Sequence, residues 1–106
     1  MIIRIWHGWT TPENAEEYER LVVEENYDTI ADRTGEGYRG FEIARREKDG
    51  DEIKYVTITR FDSWDAVEEF AGEDYEEAYV PPEAQELLTD YDERVEHYEV
   101  RDGEEV

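Results

Sequence analysis

The sequence holds 106 residues, enough for one domain with one core. It carries 32 Asp and Glu against 11 Lys and Arg, a formal net charge of −21, and no cysteine. That balance disfavours nucleic-acid and anionic-membrane partners, and the missing thiols exclude disulfides, thiolate metal sites and a cysteine nucleophile.

The acidic residues are interleaved with periodic apolar positions, and three Trp and eight Tyr add apolar area. A folded domain is therefore expected rather than an acidic disordered tail. At about 1 M salt the Debye length is roughly 3 Å, so a surface that repels itself in dilute buffer is screened there. The composition suits a halophilic protein. The N-terminal run MIIRIWHGW is too short for a membrane span or signal peptide, which makes the expected location cytoplasmic.

Residues 2 to 9, rich in β-branched and aromatic types, predict a strand. Thr11 as N-cap and Pro12 at the first helical position open a helix, with Glu13, Glu16 and Glu17 where the helix dipole favours anions. Ala15, Tyr18, Leu21 and Val22 form its apolar face, with Asn14, Glu17 and Arg20 outward, and the helix is expected to weaken near Asn26. A loop ending in Gly35-Glu36-Gly37 follows. With Gly40 it makes no phosphate loop, because it opens no helix and lies among acidic residues.

Residues 38 to 47 and 52 to 61 predict a hairpin around a two-residue Asp49-Gly50 turn. That loop length sets Ile43 opposite Val56 and Phe41 opposite Ile58. Phe41, Ile43, Val56 and Ile58 then share a face suited to packing under helices. Glu42, Ala44, Tyr55, Thr57 and Thr59 share a mixed face suited to lining a cavity. Ser63 caps a second helix and Gly72 ends it, with Trp64, Val67, Phe70 and Ala71 at helical spacing. A helical turn is expected over 73 to 79, a break at Pro81-Pro82, a short helix from Glu83 to Leu88, and a last strand over 94 to 101. The domain thus spans 1–101, with a polar tail over 102–106.

Strand, helix, strand, strand, helix, strand is the α+β, ferredoxin-like βαββαβ order. It implies an antiparallel sheet with helices on one face. The uncovered face needs burial, and a second copy of the sheet supplies it, so a homodimer is expected.

Several segments together resemble the antibiotic biosynthesis monooxygenase superfamily, in a haloarchaeal-type form. They are Trp6-His7-Gly8 with Thr10 and Pro12, Arg45-Arg46, Phe61-Asp62-Ser63-Trp64-Asp65-Ala66-Val67, Phe70-Ala71-Gly72-Glu73-Asp74, and Val95-Glu96-His97-Tyr98-Glu99-Val100. The resemblance covers nearly the whole chain. It implies a dimeric α/β-barrel with a pocket between sheet and helices in each subunit. Some members of that superfamily oxidise phenolic polyketides or quinols with dioxygen and no cofactor, and others degrade haem. In the haem-degrading branch a pocket Asn falls near His7, a Trp near Trp64 and the proximal His near Tyr79. Tyrosine at that last position departs from the pattern, although a tyrosinate ligates haem iron in other proteins.

Cofactor-free oxygenation needs a substrate that becomes an electron-rich anion and a base to take its proton. His7 and His97 are the only histidines and the expected catalytic residues; structural, acid/base and metal- or haem-ligating roles all stand open for them. Strand parity separates His7 and Trp9 from Trp6, and the family comparison sets the His7 face in the pocket. The expected cavity is then lined by Ile3, Ile5, His7, Trp9, Tyr55 and Thr57, with Trp64, Tyr79 and His97 beside them. Trp9, Tyr55, Thr57, Trp64 and Tyr79 are the expected substrate-binding residues, for a small aromatic molecule. The leading expectation is a cofactor-independent monooxygenase; a haem-binding or haem-degrading protein and a non-catalytic ligand-binding dimer are the alternatives. Carboxylate pairs such as Glu16-Glu17, Glu68-Glu69 and Glu76-Glu77 read as solvated faces, without the glycine-containing alternation of a calcium loop.

The charge makes one prediction. Dialysis from molar salt into dilute buffer should cost the protein its tertiary structure, followed by near-UV circular dichroism. Full structure in dilute buffer would show that the charge serves another purpose.

Overall fold

The computed structural model describes residues 1–34, 37–48, 50–78 and 80–103, with the side chains of 25–34 and 48 outside that description. Its elements in order are β1 (Ile2–Thr10), α1 (Pro12–Thr34), β2 (Tyr38–Lys48), β3 (Glu52–Phe61), α2 (Trp64–Ala71), α3 (Pro82–Leu87), β4 (Leu88–Tyr91) and β5 (Glu96–Glu99). The strands form one antiparallel sheet in the order β2-β3-β1-β4, with β5 also pairing β1. This is the expected ferredoxin-like α+β arrangement, helices on one face. No described helix is long and apolar enough to cross a membrane.

Four local expectations need correction. The first helix runs through Asn26 to Thr34. Asn, Asp and Thr cost a helix only fractions of a kcal/mol, roughly 0.7 at most, and no Gly or Pro interrupts 13–34. Residues 73–78 form a turn and an isolated Glu77–Arg94 bridge rather than a helical turn. The predicted last strand divides its work: β5 covers only Glu96–Glu99, and an extra strand, β4, follows directly on α3. Asn14, expected outward, turns its side-chain amide toward the Leu87 carbonyl at 3.4 Å.

The hairpin correction has wider consequences. Lys48 pairs with Glu52, so three residues, not two, form the loop, with Gly50 at φ 87°; the expected turn residue Asp49 lies outside the described residues. The extra residue shifts the register by one. Ile43 now faces Thr57, Phe41 faces Thr59, and Ala44 faces Val56. Opposed residues share a face, so the apolar set predicted to lie together is split between the two sides of the sheet. Phe41 and Ile43 join Tyr55, Thr57 and Thr59 toward the helices, while Val56 and Ile58 face away with Ala44 and Glu42.

The β1 register extends this division. Ile2, Arg4, Trp6, Gly8 and Thr10 lie opposite Phe61, Thr59, Thr57, Tyr55 and Ile53 on the helix side. Two buried clusters fill that side. Ala15 and Tyr18 of α1 pack on Ile53, Tyr55, Val80 and Ala84; Ala66 and Val67 of α2 pack on Ile2 and Phe61. Ser63 caps α2 as expected, accepting from the Ala66 amide, and Gly72 ends it at φ 83°. The fully buried Thr10 hydroxyl donates to the Leu87 carbonyl and fixes α3 to the sheet.

Close approach explains one glycine. A Cβ on Gly37 would collide with the Cβ of buried Ala66, so the start of β2 and α2 touch only because Gly37 has no side chain. Gly37→Ala should destabilise the fold by about 1–3 kcal/mol, the range for overpacking. Gly103→Ala, with open space around it, should change stability by less than about 0.5 kcal/mol. Denaturant titration in molar salt separates these outcomes; equal stabilities would contradict the packing.

Candidate functional site

Strand parity sends the two histidines to opposite sides of the sheet. His7 lies with Ile3, Ile5 and Trp9 on the open face, whereas His97 pairs with Arg4 on the helix side. First and last strands are antiparallel neighbours as expected, but the expected single cavity does not form from this set. Tyr55, Thr57 and Trp64 belong with His97, Trp9 belongs with His7, and Tyr79 lies outside the described residues. No group of three or more His, Asp or Glu able to hold a metal ion occurs among the described residues.

On the open face, His7 Nδ1 lies 2.9 Å from Asp92 Oδ2, and the His7 amide donates to the same oxygen at 3.2 Å. Asp92 N donates to the His7 carbonyl at 3.0 Å, and Trp6 Nε1 donates to the Asp92 carbonyl at 2.7 Å. Residue 92 thereby staples the β4–β5 connection to β1. The acceptor-only carboxylate places a proton on His7 Nδ1. Trp9 lies 6.3 Å from His7, centroid to centroid, with Lys54 Nζ 5.3 Å from its ring.

On the helix side a second cluster forms where α2 crosses β1 and β5. Arg4 is its centre. One guanidinium nitrogen, NH1, donates to the Tyr75 carbonyl at 2.8 Å and lies 3.1 Å from His97 Nε2, and the group stacks 5.2 Å from the Phe70 ring. His97 is in turn flanked by Tyr75 at 5.2 Å and Trp64 at 5.9 Å. Trp64, an expected substrate-binding residue, is 37% exposed and donates through Nε1 to Glu99 at 3.2 Å. It forms the outer wall of the cluster.

Arginine has donors only, so His97 Nε2 must be the acceptor and the ring proton sits on Nδ1. Burial, and then repulsion from Arg4, lower the His97 imidazole from 6.5 to about 4, against a smaller upward pull from Glu76. Burial likewise lowers Arg4 to about 10. The Nδ1–H is buried and has no hydrogen-bond partner among the described residues. An unmet buried donor costs about 1–3 kcal/mol, so the ring is held in place without being fully satisfied.

Arg4 is also unusual in its company. Arg20, Arg39, Arg45, Arg60, Arg94 and Arg101 each lie within 3.9 Å of a carboxylate. Arg4 and Arg46 have no such partner among the described residues, and of the two only Arg4 is half-buried, in a chain with 32 acidic residues. Among the described residues, the site therefore holds a partly desolvated positive charge without a carboxylate partner.

Tyr55 occupies core rather than cavity. It is buried, its ring centroid is 5.1 Å from that of Tyr18, and its hydroxyl donates to Glu19 at 2.9 Å; burial pushes that hydroxyl up to about 12. Among the described residues, His97 is the one histidine on the helix side and its lone pair is turned to Arg4; Tyr79, the expected haem-ligand position, lies outside them.

Asp92 and Arg4 were missed by sequence reasoning. One more carboxylate among 32 carries no signal. Arg4 did carry one: it shares strand parity with Trp6, and a charge at an inward position of a central strand is uncommon.

No family model matches the sequence, and no curated protein matches it. Solved structures do. A Bacillus cereus protein, provisionally assigned as an antibiotic biosynthesis monooxygenase, is 13% identical over 99% of this chain and 95% of its own, with a TM-score of 0.67. A mutant of SnoaB, a cofactor-independent oxygenase from Streptomyces nogalater, is 13% identical over 96% and 95%, at 0.63. MhuD, a haem-degrader from Mycobacterium tuberculosis with two haems in its active site, is 18% identical over 94% and 95%, at 0.54. At these identities the likeness establishes a shared fold.

The His97 environment predicts a pH dependence. Unfolded, the imidazole protonates near 6.5; folded, near 4. Stability from the neutral ring is complete above pH 6.5 and is lost as the pH falls toward 4. Denaturant titrations from pH 7 to 4 should therefore show the parent losing more stability than His97→Phe. Parallel losses would contradict the depressed value.

Proposed function

We propose that this chain belongs to the antibiotic biosynthesis monooxygenase superfamily and acts, as a homodimer in a salt-rich cytoplasm, as a cofactor-independent monooxygenase of a small phenol or quinol. The helix-side cluster is the proposed site. The observation that carries this reading is Arg4, a desolvated cation without a carboxylate partner among the described residues, bordered by Trp64, Tyr75 and Phe70. Likeness of fold to a cofactor-independent oxygenase supports it.

Without a cofactor, the substrate itself must give electrons to dioxygen, and a phenol does so far better as its anion. A free phenol loses its proton near pH 10, and each unit by which Arg4 lowers that value corresponds to about 1.36 kcal/mol. A fixed positive charge in a partly water-excluded site is the usual device for stabilising a developing oxyanion. Trp64 and Tyr75 offer flat surfaces for the ring. At an activated ring CH2 the reaction balances with no other reductant: two C–H bonds are lost, one oxygen atom becomes the new carbonyl, and the other leaves as water.

Ile3, Ile5, Trp9, Val56 and Ile58 are assigned to the dimer contact, since they share the open sheet face and are only half-buried in the single chain. His7 is assigned to stapling β1 through Asp92, and Tyr55 and Thr57 to the packing of the helix side.

Purified protein in molar salt should scatter light as a dimer and consume oxygen with an anthrone or a quinol. Trp64→Ala, at the exposed rim, should lower kcat/KM about tenfold, equivalent to about 1.4 kcal/mol, without lowering the melting temperature. No uptake across a panel of anthrones and quinols, or a clean monomer, would contradict the reading.

A further inference from the structure

We infer that His97 is a displaceable stand-in: its Nε2 occupies the place at Arg4 that the oxygen of an aromatic anion takes, and ligand entry frees it to act as the base. This rests on the helix-side cluster being the oxygenation site.

Three observations meet here. Arg4 NH1 spends a hydrogen bond on a neutral nitrogen at 3.1 Å although it has no carboxylate partner among the described residues. A charged oxygen is a far better acceptor for guanidinium than an imidazole lone pair. The His97 ring is incompletely satisfied where it stands, with Nδ1–H buried and unpaired. It is walled on its outer side by Trp64, which is 37% exposed and so borders solvent.

The exchange is simple in chemical terms. A phenol oxygen accepts from Arg4 NH1 as the imidazole swings outward. The freed Nε2 then takes the phenolic proton: one O–H bond breaks, one N–H bond forms, and the phenolate remains on Arg4 with the new imidazolium as its second donor. The charged groups around the ring suit this product. Arg4 opposes a second positive charge only while no anion lies between them, and Glu76 favours it. While it caps Arg4, the same ring is a poor base. Activation of the base is thus coupled to arrival of a ligand that needs it.

Benzoate is a suitable probe because it carries the anion but offers no phenol to oxidise. Its binding is read by tryptophan fluorescence and the His97 titration by NMR, in molar salt. Benzoate should raise the His97 pKa from about 4 toward the ordinary 6.5. His97→Phe, which removes the competing acceptor, should bind benzoate about tenfold tighter yet lose oxygen uptake, a split that a merely structural histidine would not give. Arg4→Lys should bind benzoate more weakly than the parent.

Benzoate binding that depends on Arg4 but leaves the His97 titration unmoved, or weaker binding by His97→Phe, would overturn the displacement while sparing the proposed site. No Arg4-dependent binding would overturn both. Displacement without oxygen uptake from any phenol would uphold the exchange at Arg4 and overturn both the base role of His97 and the oxygenase.

Discussion

The pairing of β1 on both sides decides what the rest of the molecule can do. With β3 along one edge and β4 and β5 along the other, its alternation is fixed twice over. A slip of one residue would turn Arg4 outward and bring His7 beneath the helices. The staple through Asp92 reinforces that register where β4 gives way to β5, with hydrogen bonds to both His7 and Trp6. Gly8 contributes by leaving room for the Trp6 ring, which a Cβ there would meet at 3.0 Å.

Given that register, electrostatics singles out one place. The exposed arginine–carboxylate pairs are each worth about 0–1 kcal/mol, and less as salt is added. They decorate the fold without deciding it. Arg4 differs because burial removes screening, so whatever neutralises it gains more than a surface partner would. The protein offers it a carbonyl, an aromatic face and a neutral imidazole. Among the described residues, a half-buried charge without a carboxylate partner carries more chemical information than the large negative surface charge.

Much of the fold was legible in the sequence. Ser63 and Gly72 bound α2 as their capping chemistry requires, and Ala15 and Tyr18 mark the buried face of α1. The topology followed from the order of elements. The site was less legible, for identifiable reasons. One extra loop residue after Lys48 exchanged the partners of Phe41 and Ile43, and turn length is not fixed by an Asp-Gly pair alone. Residue type alone marks both histidines as pocket candidates, and only strand parity shows which of the two lies under the helices. Tyr55 looked like cavity lining because its strand face appeared mixed; Glu19 from α1, far away in sequence, satisfies its hydroxyl.

The account stands on the contact between Arg4 and the neutral ring of His97, and the ring's tautomer tests it most directly. Long-range proton–nitrogen NMR correlations of His97 at pH 7 in molar salt should show the proton on Nδ1 and a bare Nε2, with no titration until the pH nears 4. A proton on Nε2, or a midpoint near 6.5, would contradict it.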